Sequence, residues 1–202
     1  MPLGTYAIIG EHGEPVGTEA FRCAPGPAGW RYVGEIDTTE HGQHHEVVDI
    51  VVDADWQIVR VRIDTGEHRL LLEPSGRTLR GSRDAEPLEL SWGPDDHLDY
   101  LTPATNLITT QRLTNTTEIE AVFIESSTLE PVHERQRYEL RGDEDVQTPV
   151  GRFGAATRWT YASLESGWTS DLWVAGDVVV RYDRIFELIA YDPGAGGPRV
   201  LG

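Results

Sequence analysis

The sequence predicts a single domain, residues 1–202, built mainly from antiparallel β-strands. Short runs of alternating or β-branched residues dominate it, and segments with the 3.6-residue period of a helix are few. Gly, Pro, Asp and Asn interrupt these runs about every eight to twelve residues, as in a meander of adjacent strands. The chain is also long enough to enclose one substantial core.

The first two strands are predicted at 4–9 and 16–23, and Gly13 between them can take the positive φ of a tight turn. A Pro- and Gly-rich stretch at 24–29 then separates this hairpin from the next strand. Further strands are predicted at 30–38, 46–53, 57–64, 68–73, 78–82 and 88–92.

The segment from 92 to 113 is less regular than the rest. Thr102 as N-cap and Pro103 at the first helical position favour a helical turn, although β-branched residues such as Thr105 and Ile108 oppose one. At most one or two short helical turns are therefore expected. The acidic stretch 141–145 is interpreted as a solvated turn and 192–202 as a frayed tail. The later strands are predicted at 117–126, 131–140, 151–161, 168–174, 178–182 and 185–191.

Charge and composition narrow the classes of partner. The chain has 34 acidic and 17 basic residues, a formal net charge of −17, and every basic residue is Arg. Such a surface repels phosphate backbones and anionic headgroups, so no nucleic-acid partner is expected. The amino terminus lacks the pattern of a secretory signal and no apolar run approaches about 18 residues, which predicts a cytoplasmic protein without integral membrane association. The lone Cys23 is expected to be a buried core thiol.

No motif dictates a reaction, and no metal or cofactor is expected. The segment around His41, His44 and His45 is rich in imidazoles, but on a strand His44 and His45 point to opposite faces, which does not suit a metal site. Signatures of common hydrolases, nucleotide-binding loops and zinc enzymes are missing. A dispersed active site would leave no such signature.

Six tryptophans are many for an otherwise polar chain, and each lies at or near a predicted strand. Large aromatic side chains dominate protein cores, and core packing is the simpler interpretation. An indole also suits the wall of a cavity for an amphipathic ligand, because its ring packs apolar groups while its N–H stays available. The six are Trp30, Trp56, Trp92, Trp159, Trp168 and Trp173.

One region resembles a known family. The stretch 97–106, which reads HLDYLTPATN, is followed by Gln111-Arg112-Leu113 and resembles the hallmark of the bacterial family of putative glycolipid-binding proteins. Pro131 with Gln136-Arg137-Tyr138, and the stretch 178–186, are similar to later parts of the same family pattern. Together these matches cover about half of the chain.

The resemblance implies a spiral β-roll or open barrel, in which one strongly curved antiparallel sheet surrounds an apolar interior that holds a lipid-like molecule. Polar groups at the cavity mouth would then select the ligand head. A structural alternative is a partly buried ion pair between Asp99 and Arg112 that pins two parts of the sheet together. The expected ligand-binding residues are Asp99, Asn106, Arg112, Tyr138, Trp92, Trp159 and Trp173.

We therefore expect a non-catalytic protein that binds a small apolar or amphipathic molecule. Two alternatives remain open. One is an enzyme acting on an apolar substrate, with Asp99 or His97 as the acid/base group; a perturbed carboxyl or imidazole facing a cavity would favour it. The other is a β-scaffold that forms a homodimer through an edge strand or an exposed apolar patch.

Overall fold

A computed structural model describes residues 1–39 and 44–201. These residues form fifteen β-strands and one α-helix. The elements are β1 (Leu3–Ile9), β2 (Pro15–Gly26), β3 (Gly29–Thr38), β4 (His44–Val52), β5 (Ile58–Asp64), β6 (Arg69–Ser75), β7 (Thr78–Arg83), β8 (Glu86–Ser91), β9 (His97–Asp99), α1 (Pro103–Arg112), β10 (Thr117–Ile124), β11 (Pro131–Thr148), β12 (Gly151–Ser163), β13 (Thr169–Ala175), β14 (Val178–Tyr182) and β15 (Phe186–Asp192).

All fifteen strands belong to one sheet that does not close into a ring. Its order is β8-β7-β6-β5-β4-β3-β2-β1-β15-β14-β13-β12-β11-β10-β9. The first strand, β1, therefore pairs with the last strand, β15, in the middle of the sheet. Strands β8 and β9, which are neighbours in sequence, lie at its opposite edges. The predicted antiparallel meander is confirmed except at one edge, where β9 pairs parallel to β10. Helix α1 connects these two strands, as a parallel connection requires.

The strands follow the alternation of the sequence. In β4, Val48, Ile50 and Val52 are buried, while the residues between them face outward. In β6, Leu70 and Leu72 are buried and their neighbours are exposed. One face of the sheet thus covers the core and the other carries most of the charge, which is how a half-buried strand satisfies the period of two.

Three local predictions differ from the structure. The stretch 141–145 is not a turn, because β11 continues through it to Thr148 with register shifts on either side; Gly142, at φ +106°, takes up one irregularity. The three-residue β9 was not predicted. Helix α1 does begin after Thr102 with Pro103 in its first turn, but it runs for ten residues. Residues 103–110 are all buried, so tertiary packing outweighs the poor helix propensity of its β-branched residues.

A chain of neighbouring aromatic rings crosses the core from the β4–β5 connection to β11. Successive ring centroids lie 4.8–6.3 Å apart, within the range of favourable aromatic pairs. Cys23 is buried nearby, as predicted. The rings, in order, are Trp56, Trp30, Tyr32, Phe21, Tyr6, Phe186, Tyr182, Trp168, Tyr161 and Tyr138.

Two histidines of the imidazole-rich segment contact acidic side chains. His41 lies outside the described residues; His44 contacts Glu46 at 2.7 Å and His45 contacts Asp37 at 2.8 Å. Near the carboxyl terminus, the backbone N–H of Leu201 donates to the carbonyl of Arg152. Over the described part of the chain, no helix is long and apolar enough to cross a membrane.

Candidate functional site

A pocket of about 250 Å³, the Asp99 pocket, opens beside the amino-terminal end of α1. It combines apolar and aromatic walls with a few polar side chains, the composition expected of a small-molecule site. β9, α1, β10, β12, β14, β15 and the connections next to them all contribute. The lining residues are Asp99, Tyr100, Leu101, Thr102, Asn106, Phe123, Ser126, Tyr161, Tyr182, Ile185 and Phe186.

Asp99, the last residue of β9, is the one carboxylate among these lining residues. It is 8% exposed and is held by two donors: the Thr105 hydroxyl at 3.0 Å and the Gln136 amide at 2.6 Å. Burial raises the pKa of Asp99 to about 6, although these two hydrogen bonds act to lower it. The group is therefore mostly ionised at neutral pH and becomes protonated in mild acid.

Asn106 of α1 provides the second polar side chain of the pocket. Its Oδ1 accepts a hydrogen bond from the Tyr138 hydroxyl at 2.9 Å and a longer one from the Tyr182 hydroxyl at 3.4 Å. Asn106 and Tyr138 are both buried. Tyr138 therefore lies behind the pocket, where it fixes the orientation of the amide that faces the pocket.

Glu19 and Glu46 form a buried acidic cluster, and Glu19 contacts Thr102. Glu19 has no exposed surface, and its Oε1 accepts from the hydroxyls of Thr102 and Tyr32, each at 2.6 Å. Its Oε2 has no partner among the described residues. Gly34 makes room for this carboxyl, since a Cβ there would lie 2.5 Å from Glu19 Oε1. Burial raises the pKa of Glu19 to about 7, and the charge of Glu46 adds to the effect.

Arg112 lies in a different place from Asp99. Its guanidinium donates to the carbonyl oxygens of Asp96 at 2.8 Å and Pro94 at 2.7 Å, so the suggested ion pair with Asp99 is not formed. These bonds hold the loop before β9 against the end of α1. Arg112 also lines a second, larger cavity of about 730 Å³ that includes Trp56 and His97, the Trp56 cavity.

The three tryptophans expected at the ligand site do not line the Asp99 pocket. Trp92 is buried in the core just after β8. Trp159 lines a separate cavity of about 330 Å³ near the end of α1. Trp173 is covered by the guanidinium groups of Arg158 and Arg181, which lie 5.2 and 5.0 Å from its ring centroid.

Sequence reasoning did not select the aromatic side chains that do form the pocket wall. Tyr161, Tyr182, Phe186 and Phe123 reach the pocket from four strands spread over one half of the sheet. Tyr182 and Phe186 fall within the stretch 178–186 that carries the family resemblance, so a usable signal was present for these two. Glu19 had no such signal, because a single acidic residue in a strand is normally exposed.

Two solved structures have a fold similar to that of this protein. The crystal structure of a DUF1089 family protein from Pseudomonas aeruginosa is similar, with 20% identity, a TM-score of 0.60 and coverage of 83% of this chain and 90% of that one. The crystal structure of a β-barrel-like protein of the domain of unknown function DUF1849 from Brucella abortus is 9% identical, with a TM-score of 0.56 and coverage of 95% and 96%. At these identities the likeness concerns the fold alone.

No curated protein matches the sequence. A family model described as Putative glycolipid-binding matches residues 10–187. This match spans most of the chain, including the stretch 97–113 and both of the later stretches that carried the resemblance. The predicted relationship is therefore confirmed: the protein belongs to the Putative glycolipid-binding family.

Proposed function

We propose that the protein binds a small amphipathic, lipid-like molecule in the Asp99 pocket. The observation that carries this proposal is the pairing of aromatic walls with a buried carboxylate and a buried amide in one pocket. Apolar walls favour an alkyl or other apolar group, and a few fixed polar atoms select the group attached to it. The description of the family supports the same class of ligand.

The connectivity of the sheet supports an enclosed, roll-like interior. Fifteen strands about 4.8 Å apart would place the edges of a flat sheet about 65 Å apart. The edge strands β8 and β9 are joined by residues 92–96 alone, which reach about 20 Å at most. We infer that the sheet curls strongly enough to bring its edges together and surrounds the buried helix α1.

The polar atoms of the pocket favour a ligand head that donates hydrogen bonds. Asp99 contributes carboxylate oxygens, and among the described residues no Arg, Lys or His lines this pocket. An anionic head would meet a buried carboxylate with no compensating cation, which is costly. We therefore expect a hydroxyl-bearing, uncharged head rather than a free carboxylate or phosphate.

Enzymatic acid/base chemistry by Asp99 is a second candidate function. A carboxyl with a raised pKa that faces a pocket and has no Arg partner is the feature that favours it. Under this hypothesis Asp99 would exchange a proton with an apolar substrate bound against Tyr161 and Phe186. The binding hypothesis requires only that Asp99 accept hydrogen bonds.

Native mass spectrometry of gently purified protein tests the binding proposal. We expect a discrete adduct that organic extraction removes and that identifies the ligand class. Ser126 lines the pocket at its partly exposed side, so Ser126→Phe should fill the pocket and reduce the adduct several-fold. Ser75→Phe, at an exposed position outside the pocket lining, is the matched control and should retain the adduct. Equal retention in both variants would refute binding in this pocket.

The same preparation separates binding from catalysis. The extracted compound is returned to the protein and its mass is measured before and after incubation. An unchanged mass supports a binding role. A changed product that no longer forms with Asp99→Asn, while the compound still binds, would support the enzymatic alternative.

A further inference from the structure

The Trp56 cavity is a second concave site, distinct from the Asp99 pocket. It lies between the β4–β5 turn, the segment 94–97, the end of α1 and the first residues of β10. In the sheet order, β4 and β5 lie far from β9 and β10. The cavity thus bridges segments from opposite parts of the sheet, and at about 730 Å³ it is large enough for a small organic molecule.

The charge around this cavity is strongly negative. Five acidic residues are among those that line it, and the guanidinium of Arg112 is committed to the carbonyl oxygens of Asp96 and Pro94. A concave surface lined by one sign of charge raises the local concentration of ions of the opposite sign. The five acidic residues are Asp55, Asp95, Asp96, Glu118 and Glu120.

His97 is a buried polar residue of the cavity lining and offers a ligand a hydrogen-bonding group. It lines the cavity and is only 4% exposed. Its Nδ1 lies 3.2 Å from the Thr109 hydroxyl, which can donate or accept, and 3.4 Å from the Arg112 guanidinium, which can only donate. We therefore assign Nδ1 as the accepting nitrogen, which leaves the hydrogen on Nε2. Nε2–H has no hydrogen-bond partner among the described residues. Burial and the charge of Arg112 lower the pKa of His97 to about 3, so the ring is neutral at physiological pH.

Trp56 provides an aromatic surface at the same cavity. Its backbone has a φ of +61°, in the left-handed region that bulky residues rarely adopt, and its ring packs against Trp30 at 5.3 Å. The turn therefore carries a large indole at a position where Gly or Asn would have less backbone strain. The face of an indole attracts ammonium groups, most strongly those that are weakly hydrated.

We propose that the Trp56 cavity binds a small organic cation that carries a hydroxyl group close to its ammonium, an amino alcohol. The carboxylates and the indole face hold the ammonium, while His97 Nε2–H donates to the hydroxyl oxygen. A phosphate-bearing form of the same compound is repelled by the five carboxylates. The free amino alcohol, rather than a phospholipid headgroup, is therefore the ligand. The Trp56 cavity and the Asp99 pocket share no lining residue. The proposal of amino-alcohol binding can therefore be tested independently of the proposal of lipid binding.

Titration calorimetry on the full chain at low ionic strength tests the chemistry with four probes. Choline carries both the charge and the hydroxyl; tetramethylammonium lacks the hydroxyl; 3,3-dimethyl-1-butanol lacks the charge; phosphocholine adds a phosphate. We expect choline to bind best, with the neutral isostere weaker by about tenfold or more. Absence of choline binding, or binding of tetramethylammonium, the neutral isostere or phosphocholine as tightly as choline, would overturn the proposal.

Paired variants test the location. Glu118 and Glu120 are exposed residues of β10, so the double variant Glu118→Gln/Glu120→Gln should fold and should weaken choline binding about tenfold. Glu35→Gln/Glu187→Gln removes the same charge at exposed positions outside the cavity and is the control. Equal weakening by both double variants would mean that choline responds to overall charge, and the site would be rejected. Trp56→Asn should also weaken choline binding while suiting the left-handed backbone.

Discussion

The hydroxyl of Thr102 donates to Glu19 Oε1 at 2.6 Å, linking the amino terminus of α1 to β2 across 83 positions of sequence. The hydroxyl oxygen of Thr102 also accepts a hydrogen bond from the backbone N–H of Ala104, which makes Thr102 the N-cap of the helix. One side chain therefore starts the helix and partly satisfies a fully buried carboxyl group. Because Thr102 also lines the Asp99 pocket, the helix cap, the acidic cluster and the pocket are mechanically connected.

Thr102→Ala should destabilise the fold by about 2 kcal/mol. The change removes the N-cap and leaves Glu19 with a single donor, Tyr32. Thr102→Ser keeps the hydroxyl and should cost less than about 1 kcal/mol. Urea unfolding of the two variants beside the parent protein measures the difference. Equal losses would show that the methyl group, not the hydroxyl, is important.

The stability contributed by Glu19 should fall as the pH rises. A carboxyl whose pKa is higher in the folded state than in the unfolded chain favours folding fully below its unfolded pKa, and this contribution is lost as pH rises through the folded pKa. For Glu19 the window runs from 4.5, the ordinary pKa of a glutamate carboxyl, to about 7, its pKa in the folded protein. Across it, the parent protein should lose roughly 3 kcal/mol relative to Glu19→Gln.

The comparison with Glu19→Gln is essential because His97 acts in the opposite sense. Its pKa is lowered from 6.5 to about 3, so its contribution is full above pH 6.5 and is lost as the pH falls through about 3. Both proteins retain His97, and its effect cancels in the difference. Urea unfolding at pH 4, 6 and 8 provides the data. A difference that stays constant with pH would contradict the raised pKa of Glu19.

Tyr138→Phe should cost about 1 kcal/mol of stability because it removes the 2.9 Å hydrogen bond to Asn106. Tyr182→Phe is the matched control, as it removes the longer bond of 3.4 Å to the same oxygen. We expect a smaller loss from the control, measured by urea unfolding. If Asn106 is oriented by Tyr138, Tyr138→Phe should also weaken ligand retention in the Asp99 pocket.

Ala85→Gly should stabilise the protein by about 1 kcal/mol. Asp84 and Ala85 form the two-residue turn between β7 and β8, with φ of +51° and +70°. Such a turn favours Gly at its second position, because a Cβ is strained in the left-handed region. Ala190→Gly, at an exposed position in β15, should instead destabilise. Thermal unfolding of both variants checks that the sign of the stability change depends on the backbone φ of the substituted residue.

Much of the fold was predictable from local patterns. Alternation such as that of Val48, Ile50 and Val52 depends on nearest neighbours in sequence, and so the strands and most hairpins follow from it. The start of α1 was also readable, because Thr102 and Pro103 act within one turn of the chain. The continuation of β11 through 141–145 was not, since acidic residues in an exposed strand resemble those of a turn.

The candidate site could be predicted only in part. Asp99 and Asn106 came from the stretch that carries the family resemblance, and the structure brings both to one pocket. Arg112 belongs to the same stretch but lies on the Trp56 cavity, because α1 carries it away from Asp99. Sequence proximity therefore identified the region without separating its two cavities.

The sequence by itself determined the mainly β class, the acidic surface, the helix start and the family. Only the tertiary structure decided that β1 pairs with β15, that β9 runs parallel to β10, and that Glu19 is enclosed beside Thr102. The physical reason is range. Strand alternation and helix caps act over a few residues, whereas pairing partners, buried carboxyl groups and pockets depend on contacts between residues tens of positions apart.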